Sequence, residues 1–305
     1  HDHDGGGDDE DDGMSSSIVR RVQNKVRAAA SHGLLSSNDG FGYAVVDDLL
    51  GKEHSALVQD SFQFLARSQQ SRFQSGLLEA SGSSDTRVRG DRIMWLDGLD
   101  MVTHGDAAAA AAASASAAGD DAAAGAADGS AAAASEMTQL MQHTIYHTLR
   151  DGLRPRVQLA SPNFAVTDAM FAVYTPGEMG FVTHVDKADD TDPRCVSAVY
   201  YLNTVDAKYG GKLVLHPPPQ ARDDVDGGRE AIRISPKSDR LVLFWSAMSH
   251  EVTPLSLESP SDRRALSFWY LEDMNTTNDA DDDADDDHDG SLFSPLREFI
   301  KELPS

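Results

Sequence analysis

Between residues 163 and 272 the apolar positions fall in short runs rich in β-branched and aromatic side chains. Pro176-Gly177, Gly210-Gly211 and Pro217 to Pro219 punctuate them. Short runs bounded by such residues predict strands joined by turns. Phe181 to Val185, Val196 to Leu202, Gly211 to Leu215, Asp239 to Trp245 and Arg263 to Tyr270 carry the pattern most clearly. Earlier in the chain the period changes. Ser15 to Leu34, with Ile18, Val19, Val22 and Val26 apolar, predicts a helix, as does Lys52 to Arg67, with Leu57, Phe62 and Leu65 expected in the core. Glu136 to Leu149, with Leu140, Met141, Ile145 and Leu149, predicts a third. Gly42 to Val46 reads as a strand, and Arg89 to Trp95 as a loop running into one.

About eight strands in the second half suit a double-stranded β-helix, a jelly roll whose inward faces form a pocket. The helices before it should pack on one outer sheet, giving an α+β fold that is mainly β. The expected organisation is an acidic disordered tail over 1–13 and a single domain over 14–275, with its jelly-roll core at 163–272. A second acidic disordered segment over 276–290 and a C-terminal helical segment over 291–305 follow, with Ser294 to Glu302 as the helix. Residues 107–134 are alanine broken by Ser, Gly and Asp. With no large apolar side chain to bury, they read as an inserted low-complexity segment.

Charge adds little. The formal net charge is −24, but the acidic blocks at 1–12 and 276–290 supply fifteen acids and no base. Such blocks are usually solvated disorder. The mildly acidic remainder does not suggest nucleic-acid binding. The single cysteine, Cys195, excludes a disulfide framework and a cysteine-rich zinc module, and fits a reducing compartment. No apolar run reaches membrane-spanning length and no secretory signal is visible. A cytoplasmic or nuclear protein, away from membranes and monomeric, is expected.

The candidate chemistry lies among the strands. His184 and Asp186 are two apart on a predicted strand, so they point to one face with Val185 turned away. His250 follows a buried strand that a closed sheet can bring opposite them. Two imidazoles and one carboxylate form a facial triad that suits Fe(II) and leaves positions open. Arg263, Ala265, Ser267 and Trp269 share a face of another strand, and Ser197, Val199 and Tyr201 share a face of a third. A guanidinium, a hydroxyl and a phenol there could grip a dicarboxylate such as 2-oxoglutarate. His216, at the end of Gly211 to Leu215, is the rival third ligand and reads as a structural residue. His143 and His147 have metal-like spacing on a helix but no nearby third ligand, so a surface or structural role is expected.

The residues around this constellation carry a family resemblance. Ala172-Val-Tyr174-Thr-Pro-Gly, His184-Val-Asp186, Arg194-Cys-Val-Ser-Ala-Val-Tyr-Tyr201-Leu-Asn203, Pro236 to Ser246, His250-Glu-Val and Arg263 to Tyr270 resemble the EGL-nine type prolyl 4-hydroxylases. These are members of the Fe(II)/2-oxoglutarate dioxygenase superfamily. Gly42 to Glu53 and Val88 to Gly98 extend the resemblance upstream, and Arg89-Gly-Asp91-Arg-Ile-Met-Trp95 is its most specific part.

The resemblance implies that His184, Asp186 and His250 bind Fe(II). It implies that Arg263 holds the distal carboxylate of 2-oxoglutarate, with Tyr201, Ser267 and Tyr174 nearby. Asp91, Arg194 and Trp269 would serve the substrate, Asp91 and Arg194 as an ion pair linking loop to barrel. Cys195 would line the pocket wall. O₂ is the second co-substrate and ascorbate an implied reductant. The partner would be a protein with a target proline, and the activity one that serves oxygen sensing in animals. Phe181 departs from the family, which has a tyrosine there, so one hydroxyl near the site is missing. Two rival readings are an oxygenase acting on another residue or a small molecule, and a non-catalytic jelly-roll binding module.

Overall fold

The computed structural model describes residues 11–34, 42–76, 88–96, 138–150, 152, 158–160, 166–217 and 230–274. The Ala-rich insertion, the acidic segment at 276–290 and the C-terminal helix expected at 291–305 lie outside them, as do residues 1–10 of the expected tail.

Eleven strands form two antiparallel sheets. They are β1 (Tyr43–Asp47), β2 (Gln74–Ser75), β3 (Arg92–Leu96), β4 (Ala169–Tyr174), β5 (Phe181–His184), β6 (Arg194–Tyr201), β7 (Leu213–His216), β8 (Ile232–Ile234), β9 (Arg240–Trp245), β10 (Ser249–Val252) and β11 (Arg263–Leu271). The large sheet runs β1-β9-β6-β11-β4-β3-β2 and the small one β5-β10-β7-β8. β4 to β11 are the eight strands expected of the jelly roll. Three helices are described: α1 (Asp11–His32), α2 (Lys52–Ser68) and α3 (138–150).

Period-two alternation decides where the core sits. On β11, Leu266, Phe268 and Tyr270 face the helices; on β6, Val196, Ala198 and Tyr200 do so; on β9, Leu241, Leu243 and Trp245. Ile18, Val22, Val26, Ala30 and Leu34 of α1 and its C-terminal turn meet them at four-residue intervals, and α2 and α3 join the same cluster. The alternate residues, among them Val199, Tyr201, Val242, Phe244 and Ala265, face the small sheet. The helices therefore cover one face of the large sheet, and the space between the sheets is left for a site.

Two local expectations need correction. Leu57 is 40% exposed, and Val58 takes the core position on α2 with Phe62 and Leu65. The buried stripe Ser55-Val58-Phe62-Leu65 has helical spacing, and Leu57 lies about 100° away from its neighbour on it. Helix α1 begins at Asp11, inside the segment expected as tail.

Residues 88–96 join the two sheets. Val88 and Gly90 hydrogen-bond the β5 edge: Val182 N–H donates to Val88 O at 2.9 Å and Gly90 N–H to Gly180 O at 2.8 Å. β3 then enters the large sheet beside β4. The Gly210-Gly211 turn makes another close approach. Gly210 has φ 84° and ψ −141°, and a Cβ there would lie 2.1 Å from Pro254 O. Gly210→Ala should therefore cost at least about 1–3 kcal/mol for the backbone conformation alone, before any clash. Chemical denaturation measures this, and an unchanged midpoint would contradict it.

Candidate metal and co-substrate site

The small sheet assembles the first half of the site. β5 and β10 pair with His184 directly opposite His250, and the two rings lie 4.2 Å apart between centroids. Asp186 follows just beyond β5, its backbone N–H held by Ser246 O at 3.0 Å. The nearest carboxylate oxygens lie 3.7 Å from His184 Nε2 and 3.6 Å from His250 Nε2. One ligand atom from each of the three residues lies within 4.8 Å of the others, the one such group of His, Cys, Asp or Glu among the described residues.

Hydrogen bonds around the group set its chemistry. His184 Nδ1 donates to Val182 O at 2.8 Å and His250 Nδ1 to Met248 O at 2.9 Å. A carbonyl only accepts, so each Nδ1 carries the proton and each Nε2 lone pair is free to bind a metal. Burial, and then the neighbouring His250, draw His184 down to about 4, which keeps it neutral. Asp186 Oδ2 accepts from Ser197 Oγ at 2.6 Å, and Ser197 Oγ lies 2.9 Å from Ser246 Oγ. Burial opposes the charge on Asp186, but His250, His184 and the Ser197 hydroxyl outweigh it and hold the carboxyl below its ordinary value. A carboxylate facing two Nε2 atoms, each on a ring whose Nδ1 is bonded to a carbonyl, fits a divalent ion of the Fe(II) kind.

His216 is not brought to this group. It sits across from Ser249 on β7, with Nε2 3.8 Å from Glu251 Oε1. His143 and His147 on α3 lie outside the group as well. His250→Ala should accordingly abolish tight Mn(II) or Fe(II) binding, while His216→Ala retains it. Calorimetric titration of both variants decides the matter, and the opposite pattern would reassign the third ligand.

The large sheet supplies the other half. Arg263 begins β11 opposite Tyr174 of β4 and is 3% exposed. Its Nε donates to Gly211 O at 3.0 Å, and Nη2 lies 3.5 Å from the Tyr201 hydroxyl. The rings of Tyr174 and Tyr201 stand 5.0 and 5.1 Å from Cζ. Among the described residues no carboxylate lies within 4 Å of this guanidinium. A buried cation without a counter-charge is costly, and a bound anion would relieve it. Burial pushes the Tyr174 phenol well above its ordinary value, so it stays a neutral donor. Arg263, Tyr174 and Ser267 line one cavity of about 660 Å³ together with His184, Asp186 and His250.

The substrate side differs from expectation. Asp91 does not pair with Arg194. Its oxygens accept from Arg89 Nε at 2.6 Å and Nη2 at 2.9 Å. Arg194 is instead held by Asp192, Nη2 to Oδ2 at 2.6 Å. In both cases the partner is two residues away in the same segment rather than across the barrel. Asp91, Arg194 and Trp269 all line the cavity nonetheless. Arg194 lies 5.8 Å from the Trp269 ring and Trp95 6.2 Å from it. Among the described residues no acceptor lies within hydrogen-bond distance of the buried Trp269 indole nitrogen, although it is near enough to Asp186 to help hold that carboxyl down. Cys195 is not on the pocket wall: it packs in the helix-facing core, with its thiol near Tyr270 O and pushed up to about 12 by burial.

Arg89, Ser197, Ser246 and Gly211 contribute to the site without having been singled out for it. Ser197 left a signal through its shared face with Tyr201, and Arg89 and Ser246 lie in stretches that carry the resemblance.

Residues 169–271 match the profile of the 2OG-Fe(II) oxygenase superfamily. These residues thus match a 2OG-Fe(II) oxygenase domain, a class whose chemistry uses Fe(II), 2-oxoglutarate and O₂. It is 28% identical over 235 residues to human Egl nine homolog 1, covering 76% of this chain and 44% of that protein. It is 28% identical over 276 residues to the hypoxia-inducible factor prolyl hydroxylase of Caenorhabditis elegans, covering 85% of this chain and 30% of that one. The chain thus spans less than half the length of these two relatives. A Trichoplax adhaerens prolyl hydroxylase, solved in complex with a hypoxia-inducible factor oxygen degradation domain peptide, shares the fold. There the TM-score is 0.55 and the identity 24%, with 84% of this chain and 91% of that chain covered.

Proposed function

We propose that this chain is a peptidyl-prolyl 4-hydroxylase dependent on Fe(II), 2-oxoglutarate and O₂. The observation that carries the reading is a single cavity holding both the His184–Asp186–His250 group and a buried, acid-free Arg263. When bound, Fe(II) supplies the coupling of 2-oxoglutarate decarboxylation, which yields succinate and CO₂, to insertion of one oxygen atom into a C–H bond. The protein supplies ligation, positioning and exclusion of water.

His184 and His250 present Nε2 to the ion. Asp186 supplies a charged oxygen, while Ser197 holds the second one. Arg263 donates Nε to Gly211 O, which leaves its terminal nitrogens to hold the distal carboxylate of 2-oxoglutarate, with Tyr201, Ser267 and Tyr174 as neighbouring hydroxyls that would assist. Trp269, Arg194 and Trp95 form an aromatic and cationic wall where an extended peptide could lay a proline ring. Asp91 acts through Arg89 at the same wall. Ascorbate would serve as reductant.

No helix among the described residues is long and apolar enough to cross a membrane. The Caenorhabditis elegans relative is named for a protein substrate, hypoxia-inducible factor, and a protein substrate in the cytosol or nucleus is part of this proposal. The test is mass spectrometry of lysate proteins after incubation with the Fe(II)-loaded chain. A gain of one oxygen on proline that requires 2-oxoglutarate supports the proposal. The same gain on another residue would point to a different side-chain oxygenase. Absence of 2-oxoglutarate conversion to succinate would leave a binding module.

A further inference from the structure

His184 carries contacts that ligation alone does not require. The Phe181 ring stacks on its imidazole with centroids 3.7 Å apart and planes 20° apart. On Phe181 in turn lies the guanidinium of Arg89, with Cζ 4.7 Å from the ring centroid. Arg89 cannot wander, because both oxygens of the buried Asp91 grip it and its Nη2 also lies 3.2 Å from Met170 Sδ. Gly76 makes room for this clamp: its N–H donates to Asp91 O at 3.0 Å, and a Cβ there would lie 2.3 Å from Arg89 Nε.

A second route joins the same partners through the backbone. Val88 O accepts from Val182 N–H, and Val182 O accepts the Nδ1 proton of His184. Residues 88–91 thus reach one imidazole twice, once through a stack of cation, ring and imidazole, once through Val182. His250 has no such support from this segment; its Nδ1 is held by Met248 on its own side of the sheet.

We infer that residues 88–91, acting through Phe181, are a positioning element for His184, so that docking of this segment and metal binding favour one another. Phe181 touches neither ion nor substrate in this role; it sets the plane of a ligand ring. A phenylalanine here, where the resembling family has a tyrosine, keeps the stack and drops the hydroxyl. Linkage makes the effect reciprocal: whatever factor the docked segment adds to metal affinity, metal adds to docking. The inference rests on the metal-binding reading of the triad.

The experiment uses the whole chain and Mn(II) as probe, without peptide or 2-oxoglutarate. Aromatic pairing and cation–π contacts of this kind predict that Phe181→Leu weakens Mn(II) binding by about 3- to 10-fold, whereas Phe181→Tyr, which keeps the ring, stays within about twofold. Arg89→Ala should weaken it in the same direction. Hydrogen exchange on the unaltered chain gives a readout independent of folding in the variants. Mn(II) should slow exchange at Gly90 N–H, which sits on the segment and bonds Gly180 O. Equal Mn(II) affinity in Phe181→Leu and the parent chain, or exchange at Gly90 indifferent to Mn(II), overturns the inference while leaving the oxygenase reading intact. A parent chain that binds no Mn(II) overturns both.

Discussion

Asp186→Ala should remove stoichiometric Fe(II) binding and bring 2-oxoglutarate turnover to background. The carboxylate is the sole charged member of the group, and its neighbours cannot replace it: Ser197 and Ser246 offer neutral hydroxyls, and the imidazoles are already committed. Loss of a group that merely orients a ligand weakens metal sites by roughly 10- to 100-fold. Loss of the charged ligand itself should exceed the upper end of that range. Ser197→Ala, which frees Asp186 Oδ2 without deleting it, should fall within it. Inductively coupled plasma analysis of metal content, with succinate formation, separates the two. An Asp186→Ala protein with full Fe(II) and near-normal succinate formation would remove the metal assignment altogether.

Arg263→Lys should leave metal binding nearly intact and weaken 2-oxoglutarate. Lysine keeps the charge on a different stem but cannot bond Gly211 O and a carboxylate through one rigid fork. Losing one charge-assisted bond costs about 1.5–3 kcal/mol, or roughly 10- to 150-fold in affinity. Succinate, which carries an equivalent carboxylate, should weaken in parallel. Calorimetry on the Mn(II)-loaded protein measures both. Arg263 is buried and forms no ion pair with Asp262, Glu258 or any other acid among the described residues, which excludes a plain surface ion pair. An unchanged dissociation constant for 2-oxoglutarate would mean that the cavity binds its anion elsewhere.

Strand periodicity made most of this site visible in advance. Parity alone placed His184 with Asp186, Arg263 with Ser267, and Ser197 with Tyr201 on common faces. Register was not visible: nothing in the sequence says that His250 meets His184 or that Arg263 meets Tyr174. One expectation from the resemblance failed on β6. The resemblance put Cys195 on the pocket wall, and its odd numbering, shared with Ser197, would agree with that. The β6–β11 register slips between Tyr270 and Leu271, whose partners are Val196 and Arg194, so Cys195 is the extra residue of a bulge. Its side chain turns to the helices. The Asp91–Arg194 pair failed for another reason. Resemblance names charged residues but cannot rank a distant partner against one two residues away, and local geometry favoured Arg89 and Asp192.

Each histidine of the triad group is braced by the carbonyl two positions before it in its own chain segment, Val182 for His184 and Met248 for His250. Which nitrogen each ring offers to an ion is therefore written into two short stretches and their strand pairing, while the plane of His184 also answers to Phe181. Loops that choose a substrate can lengthen, shorten or change sequence while the donor geometry travels with the strands. A scaffold built this way lends itself to new specificities by replacing its rim, and the transplantable unit is a pair of short antiparallel strands.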